Sequence, residues 1–179
     1  RHRDDAFPEL DGTVDVVLCN ATNLYFDLAY EKDPEENGYY WAGFVDGRAP
    51  FELIPLDVFK NADRNAMGQP VRSDTLANRA RLTRDGEQHI LGIQGQLWGE
   101  NLRSPDRLEY MAFPRLICLA ERAWARSPRW ADVTDRGART LAMARDWNEF
   151  ANRLGQRELP RLDYLAGGVH YRLPPPGAI

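Results

Sequence analysis

Two apolar runs, TVDVVLC at residues 13–19 and HILGIQGQLW at residues 89–98, constrain what this chain can fold into more than any other feature. Neither alternates apolar with polar residues, as a strand with one wet face does. Both are therefore expected to be strands covered on two sides. The connection between them is long enough for a crossover that returns the second strand parallel to the first. It is not one clean helix. EKDPEENG (31–38) reads as a turn-rich loop, followed by YYWAGF (39–44) and a mixed segment with PFELIPLDVFKN (50–61). SDTLANRARL (73–82) is expected to form a short helix capped by Ser73 or Asp74. Two parallel strands alone leave bare edges and apolar faces, so an α/β fold that is the last part of a larger sheet or barrel is expected.

After the second run, SPDRLEYMAF places Ser104 at an N-cap and Pro105 at the first helical position. Leu108, Met111, Ala112, Leu116, Leu119 and Ala123 recur at helical spacing, interrupted by Pro114. A kink or two abutting helices is expected there. Met143, Trp147, Phe150 and Leu154 form a further stripe, in a helix expected to end with Gly155 at C′. RELPRLDYL adds a shorter helical stretch, and YRLPPPGAI closes as an extended, linker-like tail.

Composition narrows the chemistry. With 23 basic and 27 acidic residues the net charge is −4, and no basic cluster offers a nucleic-acid surface. No apolar run is long enough for a membrane span. Cys19 and Cys118, each in an apolar pattern, read as two buried free thiols. His2, His89 and His170 lie too far apart for metal-ligand spacing, and no cofactor is implied.

The functional signal is at the ends of the two strands. Tyr25 and Asp27 lie past the first, while Trp98 closes the second and Glu100 follows it, each pair an aromatic residue and an acid two positions apart. In parallel α/β folds the C-terminal strand ends carry the functional surface, and strand pleating puts residues i and i+2 on one face. An aromatic ring covers the apolar face of a pyranose while a carboxylate accepts from its hydroxyls, so the pairs suit a sugar. The competing readings are a buried tryptophan, a capping glutamate and a tyrosine satisfying a loop carbonyl. Glu121 and Arg122 read as a structural ion pair or a solvated face, and Glu35 with Glu36 as a solvated acidic loop.

NATNLYFDLAYEKDPEENGYYWAGF, LGIQGQLWGE, FPRLICLAERAW and FANRLGQRELPRLD together resemble the C-terminal part of family 20 glycoside hydrolases, the β-N-acetylhexosaminidases, with the bacterial chitobiase type most similar. The resemblance implies a (β/α)₈ TIM barrel, with residues 13–27 and 89–100 as its seventh and eighth strands and the helix around 114–125 as its last. Residues 1–133 would be the final β/α units, 134–168 helices packed on the barrel, and 169–179 the extended tail. It further implies retaining hydrolysis of terminal β-linked GlcNAc or GalNAc, in which the substrate's own acetamido oxygen is the nucleophile. Tyr25 would hold that oxygen, Trp98 would pack against the sugar, Glu100 would bind its 4- or 6-hydroxyl, Asp27 would join the polar rim, and Trp41 would be a loop aromatic at the same site. A periplasmic or secreted location is implied as well.

The family's acid and acetamido-orienting residue form an Asp-Glu pair, and no Asp-Glu dipeptide occurs here. The chain is thus expected to need the upstream part of the same catalytic domain as its partner, and to be inactive alone. The alternatives are a stand-alone carbohydrate-binding or interaction module, and another barrel hydrolase with Glu100 as its acid.

Overall fold

The structure, a computed structural model, describes residues 14–62, 65, 69–72, 76 and 79–173. Its two strands, β1 (Val16–Leu18) and β2 (Ile90–Ile93), pair in parallel with Val16 opposite Ile90 and Leu18 opposite Ile93. The parallel return expected from the two apolar runs is therefore present, in shorter strands. Covering on both sides is not. Val17 is 44% and Leu91 65% exposed, so one face of the pair is bare apolar surface.

β1 does not run on to Tyr25. The chain makes a short helix α1 (Ala21–Leu24) and then rejoins the ladder, where the Phe26 amide donates to Gln96 O at 2.6 Å and the Gln96 amide to Leu24 O at 2.8 Å. The long crossover contributes α2 (Arg48–Phe51), a single 3₁₀ turn at Val58–Lys60, and α3 (Arg84–Glu87), which leads into β2. Thr83 caps α3, its hydroxyl accepting from the Gly86 amide at 3.0 Å. The helix expected over 73–82 lies mostly outside the described residues.

Beyond β2 the sequence signals are realised one by one. Ser104 caps α4 (Pro105–Ala112) by accepting from the Arg107 amide at 3.1 Å, with Pro105 in the first turn. Pro114 separates α4 from α5 (Arg115–Trp124), as abutting helices. Asp135 caps α6 (Arg136–Arg153), accepting from the Ala138 amide at 2.7 Å. Gly155, however, ends nothing. A π-type turn at Leu154–Glu158 carries the chain directly into α7 (Leu159–Ala166), and the left-handed glycine that stops it is Gly167, at φ 76°. Continuing the helix buries both Leu154 and Leu159, which outweighs the cost of about 1 kcal/mol for a helical glycine.

Two apolar clusters result. One lies under the strands: Leu18, Leu24, Phe26, Leu28, Val45, Leu53 and Leu119. The other is helical, with Phe51 at its centre against Trp130, Trp147 and Phe150. Helix α5 joins them, since Cys118 faces the helical cluster and Leu119 the strand cluster. Gly95 makes that junction possible. A Cβ there would lie 2.9 Å from the Phe26 ring and 3.0 Å from Leu119 Cδ1.

Several single residues differ from expectation. Cys118 is buried, but Cys19 is exposed just past β1. Glu121 does form an ion pair, with Arg153 at 3.0 Å, whereas Arg122 is buried with its guanidinium over the Phe51 and Trp130 rings. Glu36 is not solvated. Its side chain is 4% exposed and accepts from the Tyr110 hydroxyl at 2.8 Å and from Arg172. Loop composition misled there because the partners come from distant segments.

Helix α6 offers a direct check on this packing. Phe150 stacks on Phe51 at 4.9 Å, whereas Leu141 on the same helix is 66% exposed. Phe150→Ala should cost about 3–5 kcal/mol in urea unfolding of the polypeptide that carries this chain. Leu141→Ala should stay within about 0.5 kcal/mol of the parent.

Candidate functional site

The segment 25–29 is the axis of the site. On one side Tyr25 bridges Gln96, beyond the end of β2; on the other Leu28 bridges Tyr39. The Tyr39 amide donates to Asp27 O at 2.9 Å, and the Ala29 amide to Tyr39 O at 2.7 Å. Gly38 precedes Tyr39 at φ 115°, and a Cβ on it would sit 2.7 Å from both Asp27 O and Ala29 N. Only glycine permits this approach, and it brings the loop back beside its own start.

The underside of the segment is held by Arg115, which is fully buried. Its guanidinium donates to Phe26 O at 2.6 Å, Leu28 O at 2.7 Å and Val45 O at 2.9 Å, and its Nε to Met111 O at 3.0 Å. It also lies 3.8 Å from the Tyr30 ring centroid. Burial lowers the Arg115 pKa from its usual value, and the neighbouring Tyr30 and Asp27 oppose that shift.

Phe26 and Asp27 form a turn, closed by the Leu28 amide on Tyr25 O at 3.4 Å; Phe26 and Leu28 give their carbonyls to Arg115, while the Asp27 carbonyl accepts from the Tyr39 amide. Asp27 is 3% exposed, and its Oδ1 has no hydrogen-bond partner. Burial is the main cause that raises its pKa above the usual 3.8, and the Glu100 carboxylate pushes in the same direction. The backbone amides of Asp27 itself and of Trp98 oppose the shift. Asp27, Trp98 and Glu100 thus meet at the strand ends.

Trp98 and Glu100 do not share a strand face, because the strand has already ended. Trp98 is the extended residue that caps a 3₁₀ turn at Gly99–Asn101, and Glu100 lies within the turn. Both are exposed, Trp98 at 51%. The turn, rather than strand pleating, brings Glu100 toward Asp27. Trp41 is half-exposed and meets the Tyr25 ring edge-on, with centroids 5.8 Å apart at 82°. All five residues singled out in the sequence therefore fall in one neighbourhood: Tyr25 with Trp41, and Asp27 with Trp98 and Glu100.

The arrangement has the parts of a polyol-binding surface. It has exposed aromatic rings, one solvent-facing carboxylate, and one buried carboxyl with an unused oxygen. Arg115 was not anticipated as its support. A signal existed: the buried positions of α5 are Arg115, Cys118, Leu119 and Arg122, so two arginines occupy an apolar stripe.

Residues 8–127 match the glycosyl hydrolase family 20 catalytic-domain model. The N,N'-diacetylchitobiase of Vibrio harveyi is 36% identical over 178 residues, which cover 92% of this chain and 19% of that protein. The beta-hexosaminidase of Vibrio vulnificus is 35% identical over 185 residues, covering 92% and 20% respectively. Among solved structures, the family 20 exo β-N-acetylglucosaminidase of Vibrio harveyi in complex with N-acetylglucosamine superposes with a TM-score of 0.51 at 28% identity. That match covers 88% of this chain and 19% of the other. The family 20 β-N-acetylhexosaminidase of Streptomyces coelicolor gives a TM-score of 0.51 at 25% identity, covering 90% and 24%. The chain spans about a fifth of the length of these curated relatives.

The state of Asp27 sets a pH dependence. A carboxyl with a raised folded-state pKa is harmless below the unfolded value near 3.8 and destabilises the fold as pH rises through the folded-state value. Asp27→Asn should therefore stabilise the fold at neutral pH. In urea unfolding at a series of pH values, that gain should shrink toward zero as pH approaches 3.8. A gain that grows on acidification would contradict this account of the site.

Proposed function

Since the chain belongs to glycosyl hydrolase family 20, we propose that it supplies the sugar-binding wall of a retaining, substrate-assisted β-N-acetylhexosaminidase acting on terminal β-linked GlcNAc or GalNAc. The family's fold is the TIM barrel. Residues 1–133 are its final β/α units, with β1 and β2 in the seventh and eighth strands, and 134–168 are helices packed on the barrel. The bare apolar face at Val17 and Leu91 supports this placement, because barrel strands are covered inside and out.

The observation that carries the reading is the gathering of Tyr25, Asp27, Trp41, Trp98 and Glu100 at the C-terminal ends of the strands of a family 20 chain. The Tyr25 hydroxyl donates to the acetamido carbonyl oxygen and holds it for attack on the anomeric carbon. Trp98 packs on the pyranose face, and Trp41 closes the side next to Tyr25. Glu100 accepts from the 4- or 6-hydroxyl. Asp27, whose Oδ1 is unused within the protein, completes the polar rim. Protonation of the leaving oxygen and orientation of the acetamido N–H fall to an Asp-Glu pair in the upstream part of the domain.

The test is hydrolysis of a chromogenic β-N-acetylglucosaminide. The 179-residue chain alone should give no turnover. Joined to the upstream polypeptide it should hydrolyse the substrate, and Tyr25→Phe should lower kcat by about 10²–10³-fold, as loss of a hydrogen-bond donor at a reacting oxygen does. Glu100→Gln should mainly raise KM. Turnover by the chain alone that vanishes in Glu100→Gln would make Glu100 the acid and overturn the proposal. Sugar binding by the chain alone, with no activity on joining, would favour a stand-alone binding module.

A further inference from the structure

Beyond residue 127, where the family match ends, the chain returns through Arg172 to the loop that follows the site segment. After α7 the segment Val169–Leu173 forms neither helix nor strand, yet it is pinned along its length. The Val169 amide donates to Asp163 Oδ1 at 3.2 Å, the His170 amide to Glu109 Oε2 at 2.8 Å, and the Tyr171 hydroxyl to Asp163 Oδ2 at 2.9 Å. The Arg172 amide donates to Phe113 O at 3.2 Å.

The Arg172 guanidinium then reaches over the loop that follows the site segment. It donates to the carboxylates of Glu36 and Glu31 and, at 2.8 Å, to the Tyr110 hydroxyl, and it lies 5.0 Å from the Tyr30 ring centroid. The Tyr110 hydroxyl donates in turn to Glu36 Oε1 at 2.8 Å. Glu36 is nearly sealed, at 4% side-chain exposure, while Arg172 retains 22%. Partly buried, multiply bonded pairs of this kind hold geometry better than exposed ion pairs do.

Glu36 is two residues from Gly38, the glycine pressed on Asp27 and Ala29, and five from Trp41. Any shift of Glu36 therefore passes through Asn37 to the Gly38–Tyr39 contact, and from there to Trp41. The Tyr25 backbone is held independently, by its pairing with Gln96 and by the Arg115 bond to Phe26 O, so a shift of Trp41 reaches Tyr25 through the edge-on contact of their rings rather than through its backbone.

We propose that Arg172 is a positioning residue for the sugar site: by clasping Glu36 and Glu31 it sets the loop that places Trp41, and so governs substrate affinity rather than the chemical step. This rests on the function proposed above. The clasp makes a segment downstream of the matched family region part of the site. Arginine suits the role because its planar fork serves several acceptors at once, which a lysine ammonium does in poorer geometry.

The experiment uses Arg172→Ala, Arg172→Lys and Glu36→Gln in the polypeptide that joins this chain to its upstream part. Kinetically, Arg172→Ala should raise KM about tenfold with kcat within about twofold, and Arg172→Lys should recover part of that loss. In a Trp41→Ala background Arg172→Ala should add little further, because both remove the same contact. Independently of activity, Lys32 lies exposed in the clasped loop, and Lys60 is the chain's other lysine. Lysyl endopeptidase should cleave after Lys32 several-fold faster in Arg172→Ala and in Glu36→Gln, with cleavage mapped by mass spectrometry. Unchanged cleavage at Lys32, or KM effects of Arg172→Ala and Trp41→Ala that simply multiply, would overturn the proposal. No turnover in the unsubstituted enzyme would overturn the proposed function instead, and the Lys32 readout would still decide whether Arg172 holds the loop.

Discussion

The buried guanidinium of Arg115 is the interaction on which this structure depends. The segment from Phe26 to Val45 leaves the ladder, wraps a loop and returns, so its inward carbonyls lack regular strand partners. Left unpaired away from water, each would cost about 1–3 kcal/mol. One side chain collects three of them, from Phe26, Leu28 and Val45, together with Met111 of the preceding helix. The cost of burying the cation is met by these oxygens and by the face of Tyr30, not by a carboxylate in direct contact. A lysine has one nitrogen and cannot span acceptors set so far apart.

That clamp orders the site indirectly. With carbonyls 26 and 28 held by Arg115, the Asp27 carbonyl is left to accept from the Tyr39 amide. Gly38 then lies flat on the segment, and Tyr39 returns alongside. Gln96 and its strand occupy the remaining edge. The position of Trp41 is thus a consequence of backbone hydrogen bonding, closed from outside by Arg172 on Glu36. Arg115 and Arg172 lie within 3.8 Å and 5.0 Å of the Tyr30 ring centroid, so inner and outer supports share one aromatic residue.

What the sequence made legible follows from how local each cause is. The strand pair follows from apolar runs, the start of α4 from Ser104 and Pro105, and the break before α5 from Pro114, each written within a few residues. The candidate site was legible as a neighbourhood, because Tyr25 and Asp27 lie a few residues past the first run and Trp98 and Glu100 at the end of the second. Its internal geometry was not. Pleating predicts Trp98 and Glu100 on one face, but a 3₁₀ turn replaces the strand there. Gly155 resembled a terminator because the pull of Leu154 and Leu159 toward one core is a tertiary effect. Glu36 resembled a solvated loop acid because its partner, Arg172, lies 136 positions away. Arg115 was hidden in the same way, its acceptors at Leu28 and Phe26 being 87 and 89 positions away.

Three residues of the candidate site run against folding. Asp27 is buried with an oxygen that no protein group uses, and a second carboxylate raises the cost of its charge. Trp41 and Trp98 leave about half their surface in water, whereas Trp130 and Trp147 are buried in the helical core. Each feature opposes folding and is only partly compensated within the chain, Asp27 by the amides of Asp27 and Trp98, and Trp41 by its contact with the Tyr25 ring. Elsewhere caps are filled at Ser104 and Asp135 and three inward carbonyls are gathered by Arg115, although Arg122 Nε and Trp130 Nε1 are also buried without a partner and Trp124 is more exposed than either site tryptophan. What distinguishes the candidate site is that a buried carboxyl oxygen without a partner and two half-exposed rings occur together there. In the proposed function a sugar would supply an apolar face for the rings and hydroxyls for the carboxyl oxygens, so the residues that cost the fold stability here are ones that proposal uses.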